Sequence, residues 1–173
     1  MWYTGGMRNY LAVLAFSASL VSPLAGQAPV AREQGQAPVT RDEREARGPL
    51  EGLRAGLKAL PESVEAAYVT SCDVPLLVPA FVERMIELMG DHDIAVMEVD
   101  GFPHPLSAVY RRDTLPHVES LLSHDRLRPV FLFDAVRTRR VQPSEMMVVD
   151  PELRTLRNLN THEDYLAALK IEG

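Results

Sequence analysis

The sequence predicts an α/β domain built on a largely parallel β-sheet. Segments with the character of strands alternate with helical segments along the chain, and this alternation is typical of parallel sheets covered by helices. The strand candidates are short apolar runs containing β-branched and aromatic residues, as expected for buried strands. The helix candidates carry apolar residues at intervals of three and four. A chain of 173 residues is long enough for one domain with a sizeable core.

The composition excludes several classes of protein. Hydrophobic residues make up 46% and charged residues 24% of the chain, which is ordinary for a globular protein. The net charge of −6 argues against a general nucleic-acid binder, which would show a basic face. A single cysteine, Cys72, excludes an internal disulfide framework and a multi-cysteine metal site. We interpret Cys72 as a small apolar filler at a strand end.

The first forty residues differ in character from the rest. A short positive start is followed by an apolar run over residues 10–21, and the pattern resembles a secretory signal. The run is too short to span a membrane. The run could also be a strand or helix of the domain. A further alternative is that this segment is not the true start of the functional protein. Residues 27–47 read as linker. We therefore expect an atypical segment over residues 1–40 and a domain over residues 41–173.

The regular pattern begins with a helix over residues 50–60, whose leucines form one stripe. Pro49 is favoured at its start because the missing N–H is not needed there, and Gly48 and Gly52 allow close approach of a ligand or another segment. A buried strand over residues 66–70 and a helix over residues 79–89, stopped by Gly90, come next. Further strands are predicted over residues 93–99, 106–110, 138–141 and 146–149, and further helices over residues 113–122 and 128–136 and from Thr161.

Asp73 is the foremost candidate for a functional residue. It comes just after the strand at residues 66–70, with Thr70 and Ser71 beside it and Pro75 following. In an open parallel sheet, ligands bind at the carboxyl ends of the strands. A lone carboxylate there suits Mg²⁺ held against a phosphate, since Mg²⁺ takes oxygen ligands and few protein carboxylates. Alternatively, Asp73 only caps the following helix or completes a turn.

Two further candidates have structural alternatives. Asp42 lies in a charge run that is by default a solvated loop, but it precedes the glycine-flanked helix start, where backbone N–H groups favour anions. His104 lies in a proline-framed turn over residues 102–106, which would bring it to the mouth of a strand. The alternative is a rigid hairpin corner with His104 in solvent.

The remaining candidates are an arginine and two amides. Arg128, like Arg126, could hold a phosphate with its guanidinium, or be an ordinary surface arginine. Asn158 and Asn160 alternate along an extended segment, so that their amides would share one face. Such a pair can orient a polar substrate, or it can only form hydrogen bonds within a loop.

In their order along the chain, these residues resemble a known family. The sequence is similar over residues 41–169 to the molybdenum cofactor guanylyltransferases, which belong to the MobA-like nucleotidyltransferases. The closing asparagine motif and its acids most favour this family over other sugar-phosphate nucleotidyltransferases. The motifs are Asp42 with its arginine, GPLEG at residues 48–52, SCDVP at 71–75, PHPL at 103–106 and NLNTHED at 158–164.

The resemblance implies a three-layer Rossmann-like fold and transfer of GMP from GTP to molybdenum-molybdopterin. Mg²⁺ would be the cofactor, and Asp73 would be the catalytic residue that holds it. The protein would be cytoplasmic, with GTP and molybdopterin as substrates, possible contact with cofactor assembly proteins, and no nucleic-acid or membrane partner. The resemblance assigns Asp42, Gly48, Pro49, Gly52 and Asp73 to the nucleotide, and His104, Arg128, Asn158 and Asn160 to the pterin side.

One departure from the family pattern concerns the phosphate loop. Members open with a strand and a glycine-rich loop of the kind Leu-Ala-Gly-Gly, followed by Arg-Met-Gly and a lysine, and no such sequence occurs here. We therefore expect the N-terminal strand and loop to be incomplete. The chain would be a truncated or wrongly started enzyme, an inactive nucleotide- or pterin-binding module, or a chain whose residues 10–21 fill the strand position without its chemistry.

Overall fold

The computed structural model describes the backbone of residues 10–16 and, in full, residues 47–71, 73–74 and 76–159. Its centre is a five-stranded sheet with the spatial order β1-β2-β4-β3-β5. β1, β2, β3 and β5 run in one direction, and β4 is antiparallel to β2 and β3. The predicted mostly parallel sheet is thereby confirmed. The strands are β1 (Tyr10–Phe16), β2 (Ala66–Ser71), β3 (Ile94–Val99), β4 (Phe102–Arg111) and β5 (Thr138–Val141).

Helices cover both faces of the sheet and complete a three-layer architecture. They are α1 (Pro49–Lys58), α2 (Pro79–Met89), α3 (Leu115–Ser123), α4 (Val130–Ala135) and α5 (Pro143–Met146). Short 3₁₀ turns cover Arg112–Thr114 and Arg154–Leu156. α1, α3 and α4 pack on one face, and α2 and α5 on the other. Alternate residues of β2 enter the two cores, so Ala66–Thr70 are buried throughout.

Glycine and proline set the ends of the two long helices as the sequence predicts. Gly48 precedes α1 with φ of +74°, and Gly90 ends α2 with φ of +49°. These are left-handed backbone conformations that glycine adopts without a steric penalty. Pro49 and Pro79 occupy the first helical positions, where no N–H is required.

Two local predictions were wrong. The proline-framed segment at residues 102–106 is the start of β4 and not a turn. The turn lies just before it, at the Asp100-Gly101 dipeptide, which is typical of turns and has positive φ at both residues. The strand predicted over residues 146–149 is replaced by the end of α5 and a turn. Gln142 and Glu145 form a capping box that starts α5, with the Gln142 N–H donating to Glu145 Oε2 at 2.9 Å. This local helix signal outweighs the apolar run.

The N-terminal segment contributes a strand to the sheet. β1 pairs with β2 in parallel, and Phe16 lies opposite Ser71. Of the possibilities weighed for residues 10–21, the structure thus shows a strand at Tyr10–Phe16. The boundary at residue 40 stays a prediction, and Cys72 and the helix expected from Thr161 lie outside the described residues. In the described part of the chain, no helix has the length and apolar character to cross a bilayer.

Candidate functional site

Asp73 lies at the edge of the sheet where the parallel strands end, which we call the carboxyl edge. β2 ends at Ser71, and Asp73 follows two residues later in a turn. The residue is half-buried, and its Oδ1 atom is buried without a hydrogen-bond partner among the described residues. A buried, unpartnered carboxylate oxygen is costly unless something binds it. Asp73 is therefore a candidate ligand for a cation.

The C-terminal segment is hydrogen-bonded to the loop that follows β2. The Leu159 N–H donates to the main-chain oxygen of Asp73 at 2.8 Å. The Val78 N–H, at the other end of the loop, donates to Thr155 Oγ1 at 3.1 Å. Asn158 immediately precedes Leu159 and is exposed. Two predicted site residues, Asp73 and Asn158, are thus brought together although they are far apart in the sequence.

The start of α1 lies at the same edge. α1 leads through a short loop to the beginning of β2, so it runs back against the direction of the parallel strands. Gly48 and Pro49, which begin it, are exposed, and a Cβ atom added to Gly48 would meet no described atom beyond its chain neighbours within 4 Å. Gly52 is buried within the helix. Among the described residues, no side chain caps the first turn of α1, and a helix start of this kind favours an anion.

His104 reaches the carboxyl edge on β4. β4 pairs with β2 only as far as Ser107, which lies opposite Thr70, and continues beside β3, where His104 lies opposite Met97. The register between β3 and β4 shifts at this point, and Tyr110 fixes the irregularity by donating from its hydroxyl to the Pro105 oxygen at 2.8 Å. Such a bulge redirects side chains near a strand end. His104 is exposed there.

Arg128 lies in the loop between α3 and α4. Because β4 is antiparallel, α3 starts at the opposite edge and ends at the carboxyl edge. Arg47 connects this end of α3 to the start of α1, with its guanidinium donating to the Leu122 oxygen at 2.8 Å. Arg128 is exposed in the loop that follows. The fold thus carries it to the same edge as Asp73, on the side covered by α1 and α3.

Polar side chains beneath the site are buried and paired. Tyr68 and Ser107 share a hydrogen bond of 2.9 Å between their hydroxyl oxygens. Burial raises the pKa of Tyr68 to about 12, the Ser107 bond lowers it, and the negative charge of Asp150 raises it. Tyr68 is therefore a neutral hydroxyl at physiological pH. It acts as a structural group, not as a base.

Several polar residues at this edge are not evident from the sequence. Glu98, near the end of β3, accepts hydrogen bonds from Arg140 at 2.6 Å and Gln142 at 3.2 Å, and these bonds hold its pKa below the ordinary value. Asp150 and Thr155 are both 2% exposed and organise the segment beside Asp73. Asp150-Pro151 is a turn signal, but nothing in the sequence connects it with Asp73.

The described side chains do not form a metal centre by themselves. In residues 47–71, 73–74 and 76–159, no group of three or more His, Cys, Asp or Glu side chains could hold a metal ion. A cation at Asp73 would therefore draw further ligands from phosphate oxygens and water, as Mg²⁺ commonly does. Asp42 and Asn160, the two other predicted site residues, lie outside the described residues.

Comparison with known proteins identifies the family of the chain. The MobA-like NTP transferase domain matches residues 10–141. A probable molybdenum cofactor guanylyltransferase of Methanosarcina acetivorans is 41% identical over 126 residues, which are 70% of this chain and 54% of that protein. A molybdenum cofactor guanylyltransferase of Desulfosudis oleivorans is 34% identical over 119 residues, which are 68% of this chain and 58% of that protein. The chain thus spans little more than half the length of these relatives.

A solved structure shows the same fold. Molybdopterin-guanine dinucleotide biosynthesis protein A from Archaeoglobus fulgidus superposes with a TM-score of 0.61 at 21% identity, over 72% of this chain and 62% of that one. This likeness confirms the predicted Rossmann-like three-layer fold. The family match covers the sheet from β1 to β5 and includes Asp73 and His104. The chain belongs to the MobA-like NTP transferase family.

Proposed function

We propose that the chain is a nucleotidyltransferase that transfers GMP from GTP to molybdenum-molybdopterin in the biosynthesis of the guanine dinucleotide cofactor. The observation that carries the proposal is the Asp73 carboxylate at the carboxyl end of β2, with its Oδ1 buried and unpartnered among the described residues. The names of the relatives supply the substrates. GTP and cofactor assembly belong in the cytoplasm, and we propose that location for the chain. Contact with cofactor assembly proteins is part of the same proposal.

The reaction needs positioning and charge neutralisation more than a protein nucleophile. A terminal phosphate oxygen of molybdopterin attacks the α-phosphorus of GTP, the bond from that phosphorus to the bridging oxygen breaks, and pyrophosphate leaves. Mg²⁺, when bound, neutralises charge on the triphosphate. Asp73 would hold it, because an orphaned buried carboxylate oxygen is a suitable oxygen ligand.

The other predicted residues divide between the two substrates. The first turn of α1, with Gly48, Pro49 and Gly52, would lie against the nucleotide, and Asp42 would contact it. Open space over Gly48 and the uncapped helix start support this assignment. His104, Arg128 and the Asn158/Asn160 pair would face the pterin phosphate. This assignment is supported for His104, Arg128 and Asn158, because the fold brings these three residues to the same edge of the sheet.

Calorimetric titration with GTP and CTP, each with and without Mg²⁺, tests the nucleotide site. We expect magnesium-dependent GTP binding by the wild type and its loss in Asp73→Asn. The free energy of unfolding should change by less than about 1 kcal/mol, because Asp73 is a site residue and not a core residue. Asp113→Asn, an exposed aspartate at the other edge of the sheet, is the matched control and should bind GTP normally.

Unchanged GTP affinity in Asp73→Asn would contradict the metal-site assignment. A wild-type chain that is folded and binds neither nucleotide would contradict the proposed function altogether. Where binding is found, release of pyrophosphate from GTP in the presence of molybdenum-molybdopterin is the next assay. Binding without turnover would identify the chain as a nucleotide-binding module, the alternative function.

A further inference from the structure

A buried carboxylate organises the segment that lies beside Asp73. Asp150 is 2% exposed, and its two oxygens accept hydrogen bonds from the Arg154 and Thr155 N–H groups, each at 2.9 Å. These bonds close the 3₁₀ turn at Arg154–Leu156. Hydrogen bonds between a carboxylate and backbone N–H groups are strong, so they stabilise the turn.

This turn and the residues that follow it hold both ends of the loop after β2. Thr155 is 2% exposed, and its Oγ1 accepts from the Val78 N–H at 3.1 Å. Four residues later, the Leu159 N–H donates to the Asp73 main-chain oxygen at 2.8 Å. Val78 is the residue before α2, and Asp73 follows closely after β2. The two long-range bonds therefore fix the loop where it leaves the strand and where it enters the helix.

These two hydrogen bonds restrain the loop that carries Asp73. A buried carboxylate oxygen without a partner is unfavourable, and a loose loop would relieve it by turning the side chain into water. The bond from the Val78 N–H to Thr155 and the bond from the Leu159 N–H to the Asp73 oxygen act on the backbone of the loop and leave the carboxylate unused. A side chain is preorganised to bind a ligand when its backbone is restrained and its polar atoms are left without other partners, as at Asp73.

We propose that Asp150 and Thr155 are positioning residues that hold the Asp73 loop in the conformation that binds the metal-nucleotide complex. The inference rests on the proposed function, in which Asp73 carries that complex. Neither residue touches substrate in this scheme. Both act through the main chain of the loop, Asp150 by shaping the turn and Thr155 by bonding Val78.

Hydrogen exchange and GTP titration on the full chain test the inference with three variants. Thr155→Val removes the acceptor and keeps the size of the side chain, whereas Thr155→Ser restores a hydroxyl. Thr114→Val is the matched control: Thr114 is 1% exposed, and its hydroxyl donates to the Arg111 oxygen at 2.7 Å, at the opposite edge of the sheet. Each valine variant loses one buried hydroxyl hydrogen bond, but only Thr155→Val loses one to the Asp73 loop.

In Thr155→Val we expect the Val78 amide to exchange about tenfold faster and magnesium-dependent GTP affinity to fall about tenfold, the upper range for one hydrogen bond. Thr155→Ser should restore both, and Thr114→Val should change neither. If Thr155→Val does not fold, Asp150→Asn replaces one acceptor oxygen by a donor at the same size and should give the same pair of changes.

Two results would overturn the inference. Unchanged exchange at Val78 in Thr155→Val would show that the hydroxyl does not hold the loop, whether or not the chain binds GTP. Faster exchange with unchanged GTP affinity would show that holding the loop does not serve the site. A wild-type chain without GTP affinity would contradict the proposed function instead. In that case, amide exchange at Val78 in Thr155→Val still tests whether Thr155 restrains the loop.

Discussion

At the scale of single residues, the described part of the chain buries two carboxylates, Glu51 and Asp150, and satisfies them differently. Asp150 accepts hydrogen bonds from backbone N–H groups and shapes a turn. Glu51, 1% exposed in the first turn of α1, is paired with Arg54 one turn later. Its position near the positive end of the helix is electrostatically favourable. Each of these two fully buried carboxylates is thus compensated, Asp150 by backbone N–H groups and Glu51 by an arginine and a helix end.

Glu51→Gln should lower the free energy of unfolding by about 2 kcal/mol, because it removes the charge-assisted hydrogen bond between this buried carboxylate and Arg54. Urea denaturation followed by circular dichroism measures the change. Glu87→Gln is the matched control, since Glu87 forms an exposed pair with Arg84 at the same spacing along a helix. Its effect should stay within about 0.5 kcal/mol. Equal effects of both variants would contradict the importance of burial.

At the scale of elements, the starts of β3 and β5 are joined by one charged pair. Asp93 Oδ2 accepts from the Arg137 backbone N–H at 3.0 Å, and Oδ1 accepts from its guanidinium at 3.0 Å. The Asp93 N–H in turn donates to the Arg137 oxygen at 2.8 Å. β5 is a four-residue strand at the edge of the described sheet. These bonds therefore secure its parallel pairing with β3 at the amino end.

The pair gives stability a predictable pH dependence. Hydrogen bonds from Arg137 hold the pKa of Asp93 below its usual value of 3.8. The unfolded chain then binds more protons near that pH, so the contribution is complete above about pH 5 and is lost as the pH falls further. Asp93→Asn should lower the unfolding free energy at pH 7 by less than about 1 kcal/mol, because the pair is partly exposed.

Denaturation midpoints of the wild type and Asp93→Asn, measured from pH 7 to pH 3, check this expectation. The difference between the two proteins should shrink as the pH falls through 4. Asp113→Asn, at an exposed aspartate, serves as the control for the loss of one carboxylate. A difference that widens at low pH would have the wrong sign for a lowered pKa.

At the scale of the whole molecule, two cores share one sheet. Leu57 of α1 and Met85 of α2 are both 0% exposed and lie in the clusters on opposite faces. Tyr110 belongs to the first cluster and Tyr68 to the second. Since β2, β3 and β4 contribute side chains to both clusters, loss of one core should disrupt the sheet that supports the other.

Leu57→Ala and Met85→Ala should each lower the unfolding free energy by about 2–5 kcal/mol, because each leaves a cavity in a packed core. Far-UV circular dichroism and the near-UV tyrosine signal should show one coincident transition in both variants. Val148→Ala, at a side chain 78% exposed, is the control and should change stability by less than about 0.5 kcal/mol. Separate transitions would show that the two layers unfold independently.

Local signals in the sequence predicted much of this fold. The leucine stripe, Pro49 and Gly48 define α1, and the helix over Pro79–Met89 ends at Gly90 as predicted. The strand before Asp73 and the position of that aspartate at its carboxyl end also follow from the sequence. These features could be predicted because a buried strand, a helical stripe and a left-handed glycine each leave a mark within a few neighbouring residues.

By itself, the sequence determined the class of the fold and the ends of its main helices, and it predicted Asp73 as a site residue at the end of a buried strand. Only the tertiary structure decided that β4 is antiparallel, that residues 102–106 form part of a strand, and that the 150–159 segment holds the Asp73 loop. Strand order and hydrogen bonds between Thr155 and Val78 join residues far apart in the chain. Such contacts depend on packing in three dimensions, and no pattern among neighbouring residues encodes them.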